Sequence, residues 1–215
     1  MNALFPDLEP VPAPDEGPDV AYTPEAVTRA CVRFLADGGH LSGAWWEPCA
    51  GGGAWLPALQ EWGPGYASEI DPKAASVATG LAWQHDALLG PLPQMVRVEC
   101  VVTNPPFSCA ALLLRKWLSI PTVATVALLL RRDWVVPEGI PEKGTYRLDL
   151  CWGPVARPVV DLALYPRVSF EGPDRGKGTD TREYSLFVWR RQSDGSWLAP
   201  VTTLRRLDWR TGVVL

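Results

Sequence analysis

Four consecutive residues in the middle of the chain, Asn104, Pro105, Pro106 and Phe107, combine types that suit one kind of chemistry. Two prolines fix φ and remove two backbone donors, so acceptors dominate the turn. The Asn104 side-chain oxygen and the Pro105 carbonyl can accept both N–H bonds of a planar amino group, while Phe107 stacks on its ring. A conjugated exocyclic amine is a poor nucleophile because its lone pair is delocalised. Accepting both hydrogens draws the nitrogen toward sp³ and frees that lone pair for attack. No ionisable base is needed, in keeping with a chain that has only two histidines, His40 and His85. Taken alone, the four residues are equally a strand-ending Asn-Pro turn.

A second group is Glu47-Pro48-Cys49-Ala50-Gly51-Gly52-Gly53. Glycines there let backbone approach a ligand closely and present amides at the start of a helix. The stretch is neither a GxGxxG fingerprint nor a phosphate loop with Gly-Lys-Ser/Thr. Glu69, with Asp71 two residues on, follows at the end of the next apolar segment, where an acid can accept both hydroxyls of a ribose. Separately these read as a plain turn and a solvated charge. Together they point to a nucleoside-containing cofactor. A metal is not expected. The five cysteines, Cys31, Cys49, Cys100, Cys109 and Cys151, include no CxxC pair and fit reduced cytoplasmic thiols better than a disulfide framework.

The elements that must position these groups alternate. A helix should start at Thr23-Pro24-Glu25, with Thr23 as N-cap and Ala26, Val27, Ala30, Cys31, Phe34 and Leu35 on its apolar face, and stop at Asp37-Gly38-Gly39. Strands are predicted over 44–48, 65–70, 96–102 and 122–130, with a short strand or loop over 83–88 carrying Asp86. Helices are predicted over 54–62, 73–81 and 108–118. This alternation predicts a mostly parallel sheet wrapped by helices, with ligands at the carboxyl ends of the strands. Residues 136–158 show no clear period. Arg167 to Phe170 and Tyr184 to Trp189 read as a hairpin, expected to form an antiparallel edge, with a polar loop over 171–183 between them.

Charge is segregated along the 215 residues. The whole chain is −4, but residues 1–96 carry a net −9 and residues 97–215 a net +5. That asymmetry removes the low overall charge as an argument against an anionic partner. No apolar run reaches the roughly 18 residues of a membrane span. The first 20 residues are acidic and Pro-rich, read as a tail, and lack the features of a secretory signal, so a cytoplasmic protein is expected.

In this order and spacing the motifs resemble the class I S-adenosylmethionine-dependent amino-methyltransferases with an Asn-Pro-Pro-aromatic motif, closest to the adenine-N6 DNA methyltransferases. The resemblance spans roughly residues 21–190, read as one catalytic domain with residues 191–215 as its extension. It implies a Rossmann-like α/β fold with a mostly parallel seven-stranded sheet and an antiparallel C-terminal hairpin strand. It implies S-adenosylmethionine as cofactor, held by Tyr22, Thr23, Glu47, Cys49, Gly51, Gly53, Glu69, Asp71, Asp86 and Asn104. Catalysis would fall to Asn104, Pro105, Pro106 and Phe107, and the implied reaction is methylation of adenine N6 in DNA. RNA base amines and the side-chain amide of a protein glutamine pose the same lone-pair problem and are the alternative acceptors. A non-catalytic cofactor-binding subunit is the alternative from another class.

Members of that family often carry a separate target-recognition domain. Here recognition is expected from residues 131–165, from the loop over 171–183, or from a partner protein. Arg131, Arg132, Arg167 and Trp134 are the candidate substrate contacts among residues that equally suit solvated or core roles. A small enzyme of this design suits a bacterium or a bacteriophage.

Overall fold

The computed structural model describes residues 22–91, 97–135, 145–170 and 182–215. The acidic tail and most of the 171–183 loop therefore lie outside the described residues. The first helix, α1 (Glu25–Asp37), buries Val27, Cys31, Val32 and Leu35 and stops at Gly38. Its N-cap is Pro24, not Thr23, and no side chain caps it; the Thr23 hydroxyl is engaged elsewhere. The order then runs β1 (Ala44–Glu47), α2 (Leu56–Trp62) with Pro57 in its first turn, β2 (Gly65–Glu69), a short α3 (Ala75–Ala78), β3 (Trp83–Gln84) and β4 (Val98–Thr103). There follow α4 (Ala110–Leu118), β5 (Thr125–Arg131), a 3-10 turn (Arg132–Val135), α5 (Thr145–Cys151), β6 (Ala156–Arg157) and β7 (Val160–Tyr165). The chain closes with β8 (Tyr184–Arg190), β9 (Trp197–Leu198), β10 (Thr203–Asp208) and β11 (Val213–Val214).

Nine of these strands form one sheet in the order β11-β10-β7-β8-β5-β4-β1-β2-β3, while β6 and β9 pair separately. The expected α/β sheet is present, with β8 antiparallel to both β5 and β7. Three details differ from the sequence reading. The antiparallel strand lies inside the sheet, not at its edge. Its hairpin partner is β7, because Pro166 has no N–H to continue a ladder and residues 167–170 leave the sheet. Residues 203–208 extend the sheet beyond seven strands by pairing parallel with β7, from Thr203 against Val160 to Asp208 against Tyr165.

The central strands are covered on both faces, which is why they read as continuous apolar runs. Along β5, Ala127 and Leu129 face the core shared with α1 and α2, and Val126, Leu128 and Leu130 face the core shared with α4 and α5. Trp45, Trp46, Trp117 and Trp189 are among the largest fully buried side chains. Several indoles also tie elements together: Trp45 Nε1 donates to the Gly63 carbonyl at 2.7 Å, Trp189 to Leu150 at 2.8 Å, and Trp197 to Leu118 at 2.9 Å. Among the described residues no helix is long and apolar enough to cross a membrane, and no group of three or more His, Cys, Asp or Glu is placed to hold a metal ion.

The β1–β2 seam has no room for a side chain at Gly65, whose Cβ would collide with the Trp45 ring and carbonyl oxygen. Gly65→Ala is expected to cost about 1–3 kcal/mol through forced repacking of this seam. A lower urea midpoint at unchanged slope is the outcome that bears this out; an unchanged midpoint refutes it.

Candidate active site

The carboxyl ends of β1, β2 and β4 bring the predicted groups to one edge of the sheet. At the end of β1, Glu47 is fully buried. Its Oε1 accepts a short hydrogen bond from the Thr103 hydroxyl at the end of β4 and a 3.1 Å bond from the Cys49 amide. Its Oε2 has no hydrogen-bond partner among the described residues. Burial pushes the carboxyl up to about 8, against the opposing pull of those two donors. Thr103, which the sequence reading had given no role, thus joins the two turns on which the site is built.

The turn after β1 needs its glycines. Gly51 and Gly53 have φ of +50° and +86°, a region L side chains rarely adopt. A Cβ on Gly51 would also lie 3.2 Å from the Tyr22 ring, which covers this turn. The turn is fixed from below by Ser76, whose hydroxyl donates to the Gly51 carbonyl at 2.6 Å. Cys49 sits beside it, and burial raises its thiol well above the ordinary range.

Glu69, at the end of β2, leans across this turn. Its Oε2 accepts the Gly51 amide at 2.8 Å, and its Oε1 accepts the amides of Ile70 and Asp71 at 2.8 and 3.1 Å. Three of the carboxylate's roughly four acceptor positions are thereby used to hold it in place. Asp71, two residues on, accepts the Lys73 amide on its Oδ1 at 2.8 Å. Asp86 follows β3, and its Oδ1 accepts the amides of Leu88 and Leu89 at 2.8 and 2.9 Å. Lys116 of α4 clamps that turn by donating to the Leu88 and Gly90 carbonyls at 2.8 and 2.7 Å. No sequence signal singled out Lys116, because a basic residue late in a helix is ordinarily solvated.

Asn104 to Phe107 follow β4 directly. The Asn104 amide nitrogen donates to the Thr23 hydroxyl at 3.1 Å, which explains why Thr23 does not cap α1. With the amide nitrogen so engaged, the side-chain oxygen lies on the opposite side of the same plane. Pro106 turns the chain into α4 by accepting the Cys109 amide at 3.2 Å, whereas no described backbone amide bonds to the Pro105 carbonyl. The Phe107 ring packs 6.1 Å from Tyr184, which in turn lies 4.4 Å from Phe170.

The candidate substrate contacts divide. Arg131 is bidentate on Asp133, at 3.0 and 2.5 Å, and Arg132 lies within 4 Å of both Asp161 and Glu183. Arg167 is exposed near the same edge. Trp134 is not available as a wedge: it is 4% exposed and part of the core with α4 and α5.

No protein-family model and no curated protein sequence matches the chain. Among solved structures it is similar to a candidate RNA methyltransferase from Pyrococcus horikoshii, with a TM-score of 0.60 and 16% identity over 85% of this chain and 93% of that one. It is also similar to the 23S rRNA methyltransferase ErmE, at 0.56 and 18% over 80% and 70%. A modification subunit of a type I restriction system from Vibrio vulnificus gives 0.55 and 18%, over 87% of this chain and 47% of that one.

The Glu47 environment predicts a pH effect of definite sign. A carboxyl raised from 4.5 to about 8 on folding makes the native state hold the proton more tightly than the unfolded chain. Its contribution is fully present below pH 4.5 and is lost as pH rises toward about 8. Glu47→Gln, which keeps the shape and cannot ionise, should narrow the fall in stability between pH 5 and pH 8. Denaturant titrations of both proteins at the two pH values check this; parallel losses would show that Glu47 is not the titrating group. These strands and turns give the chain the Rossmann-like fold of the methyltransferases it matches.

Proposed function

We propose that the chain is an S-adenosylmethionine-dependent N-methyltransferase that acts on the N6 amine of adenine in DNA, with the target base turned out of the stack. One observation carries this reading: the Asn104-Pro105-Pro106-Phe107 turn stands at the end of β4, tied through Thr103 to Glu47 and so to the glycine turn of the neighbouring strand. The residues fit the cofactor. Gly51 and Gly53 form a cradle that a Cβ would fill or strain, Glu69 is held at its rim, and Glu47 presents a buried oxygen without a partner among the described residues. Tyr22, Thr23, Cys49, Asp71 and Asp86 are proposed as the remaining walls of that site.

When bound, S-adenosylmethionine supplies an electrophilic methyl on a sulfonium sulfur. The chain contributes positioning and desolvation. The Asn104 side-chain oxygen and the Pro105 carbonyl accept the two N–H bonds of the target amine, which localises the nitrogen lone pair. The Phe107 ring, backed by Tyr184, provides a face for the base. The methyl would come from the bound cofactor, whose C–S pair would stay with sulfur, while Asn104 and Pro105 hold the amine protons, one of which is lost to solvent. The DNA assignment draws on the motif and on the basic second half of the chain. The likeness to proteins described as RNA methyltransferases supports a second reading, in which the same turn methylates a base amine in RNA.

Asn104→Ala should lower turnover by on the order of 10²-fold or more, by removal of one of two acceptors, and leave cofactor affinity unchanged. Glu69→Ala should do the reverse, weakening cofactor binding in calorimetric titration. Labelled cofactor offered DNA, RNA and protein acceptors, followed by mass spectrometry of the modified residue, should yield N6-methyladenine from DNA. Methyl appearing only in RNA selects the second reading. Methyl appearing on a protein glutamine, or wild-type turnover in the Asn104 variant, overturns the proposal.

A further inference from the structure

Beside the catalytic turn lies a second cleft of about 720 Å³, lined by Arg132, Arg167, Arg206, Arg210, Tyr165 and Trp209. It opens at the carboxyl ends of β7 and β10, where Tyr165 and Asp208 are paired in the sheet. Two of its other walls, Pro24 and Tyr184, adjoin the site just described: Pro24 follows the Thr23 that holds Asn104, and Tyr184 packs on Phe107. The cleft thus borders the residues that flank the Asn104–Phe107 turn.

Its chemistry is cationic and aromatic. Among the described residues Arg167, Arg206 and Arg210 form no ion pair with a carboxylate, and all three are exposed. One acid lines the cleft, Glu183, and its carboxylate is 3.7 Å from the Arg132 guanidinium. Asp208 is turned into its own loop, accepting the Arg210 amide at 3.0 Å. Tyr165 is 55% exposed, unusual for a ring at the end of a central strand. The Arg206 guanidinium lies 5.9 Å from its centroid, and that of Arg210 lies 5.2 Å from Trp209. Trp209 is held by its indole N–H on the Pro166 carbonyl. Arginines that can reach phosphates, interleaved with a fixed and exposed ring, are the components of a surface for unpaired nucleotides. The volume is that of a small-molecule site, enough for a nucleotide or two.

We propose that this cleft binds the single-stranded DNA that flanks the target adenine, with a base stacked on Tyr165 and phosphates met by Arg206 and Arg210. The proposal rests on the reading of the catalytic turn for its choice of DNA. Two of its residues, Arg206 and Arg210, come from β10 and the turn after it, the segment that extends the sheet beyond seven strands.

The test uses the full chain and a fluorescein-labelled oligothymidylate, which offers no adenine and so separates binding from transfer. Binding is read by anisotropy across a salt series. Charge reversal in R206E/R210E should weaken binding roughly tenfold or more and lower the slope of log affinity against log salt by about 1–2. Tyr165→Ala should weaken it by about fivefold or more with little change in slope, because stacking releases no counterions. Cofactor affinity and thermal midpoint should stay at wild-type values in both variants, since the altered side chains are exposed. Wild-type oligonucleotide affinity in both variants overturns the cleft, as does tighter binding of duplex DNA or of oligouridylate RNA. If the cleft fails while N6-methyladenine still forms, the catalytic reading stands without it. Binding through these residues with no transfer to adenine sustains the cleft and removes the catalytic reading instead.

Discussion

The hydrogen bond between Thr103 and buried Glu47 is the contact on which the rest of the site depends. It joins the last residues of β1 and β4, two adjacent parallel strands that end at the same level. Each strand is followed at once by a turn of unusual composition, glycine-rich after β1 and proline-rich after β4. Fixing the strand ends therefore fixes the distance between the two turns. A carboxyl in so apolar a place favours its neutral form, and the donors from Thr103 and Cys49 hold it without a counter-charge. The cost of burying Glu47 is offset only in part inside the chain, because one of its oxygens meets no partner among the described residues. That imbalance marks the place as one shaped for something besides stability.

How far the sequence could be read follows from how local each signal is. The glycine turn, the Asn-Pro-Pro-Phe turn, α1, α4 and the central strands all announce themselves within a few residues, by φ requirements or by apolar runs. Contacts between distant residues do not. Thr103 and Glu47 are 56 positions apart, and Asn104 and Thr23 are 81 apart; nothing near either residue signals its partner. Thr23 shows the consequence. Its place before Pro24 and Glu25 is that of an N-cap, yet its hydroxyl serves Asn104. Trp134 shows the converse, since an aromatic close after a pair of arginines suggests a surface wedge while its burial is decided by α4 and α5.

The end of the sheet was hidden for a different reason. Val160–Tyr165 follows a proline-rich stretch that masks its pattern, and Thr203–Asp208 has most of its side chains exposed, so it lacks the alternation of a half-buried strand. Arg167 to Phe170 does alternate, and Val168 and Phe170 are indeed buried while Arg167 and Ser169 are exposed. Alternation reports which side faces the core, however, and not whether a backbone ladder exists. Pro166 ends that ladder, and the alternating residues pack as a coil.

The charge asymmetry acquires a spatial meaning from this topology. In a sheet of this order β2 and β3 lie on one side of β1, and β4, β5, β8, β7 and β10 lie on the other. Among the described residues the acidic first part of the sequence accordingly builds the half around the glycine turn, and the basic second part builds the half around Tyr165. A uniformly basic protein would attract a polyanion over its whole surface. A protein that is acidic on one side and basic on the other favours a polyanion on one side only, with the Asn104–Phe107 turn at the boundary between them. The added strand β10 increases that polarity, because the carboxyl ends of β7 and β10 carry Arg167, Arg206 and Arg210 to the rim that the β4 turn already occupies. Sheet extension, on this view, does for the basic half what the Glu47–Thr103 contact does for the half around the glycine turn: it sets charged and aromatic side chains at a fixed distance from Asn104 through strand register.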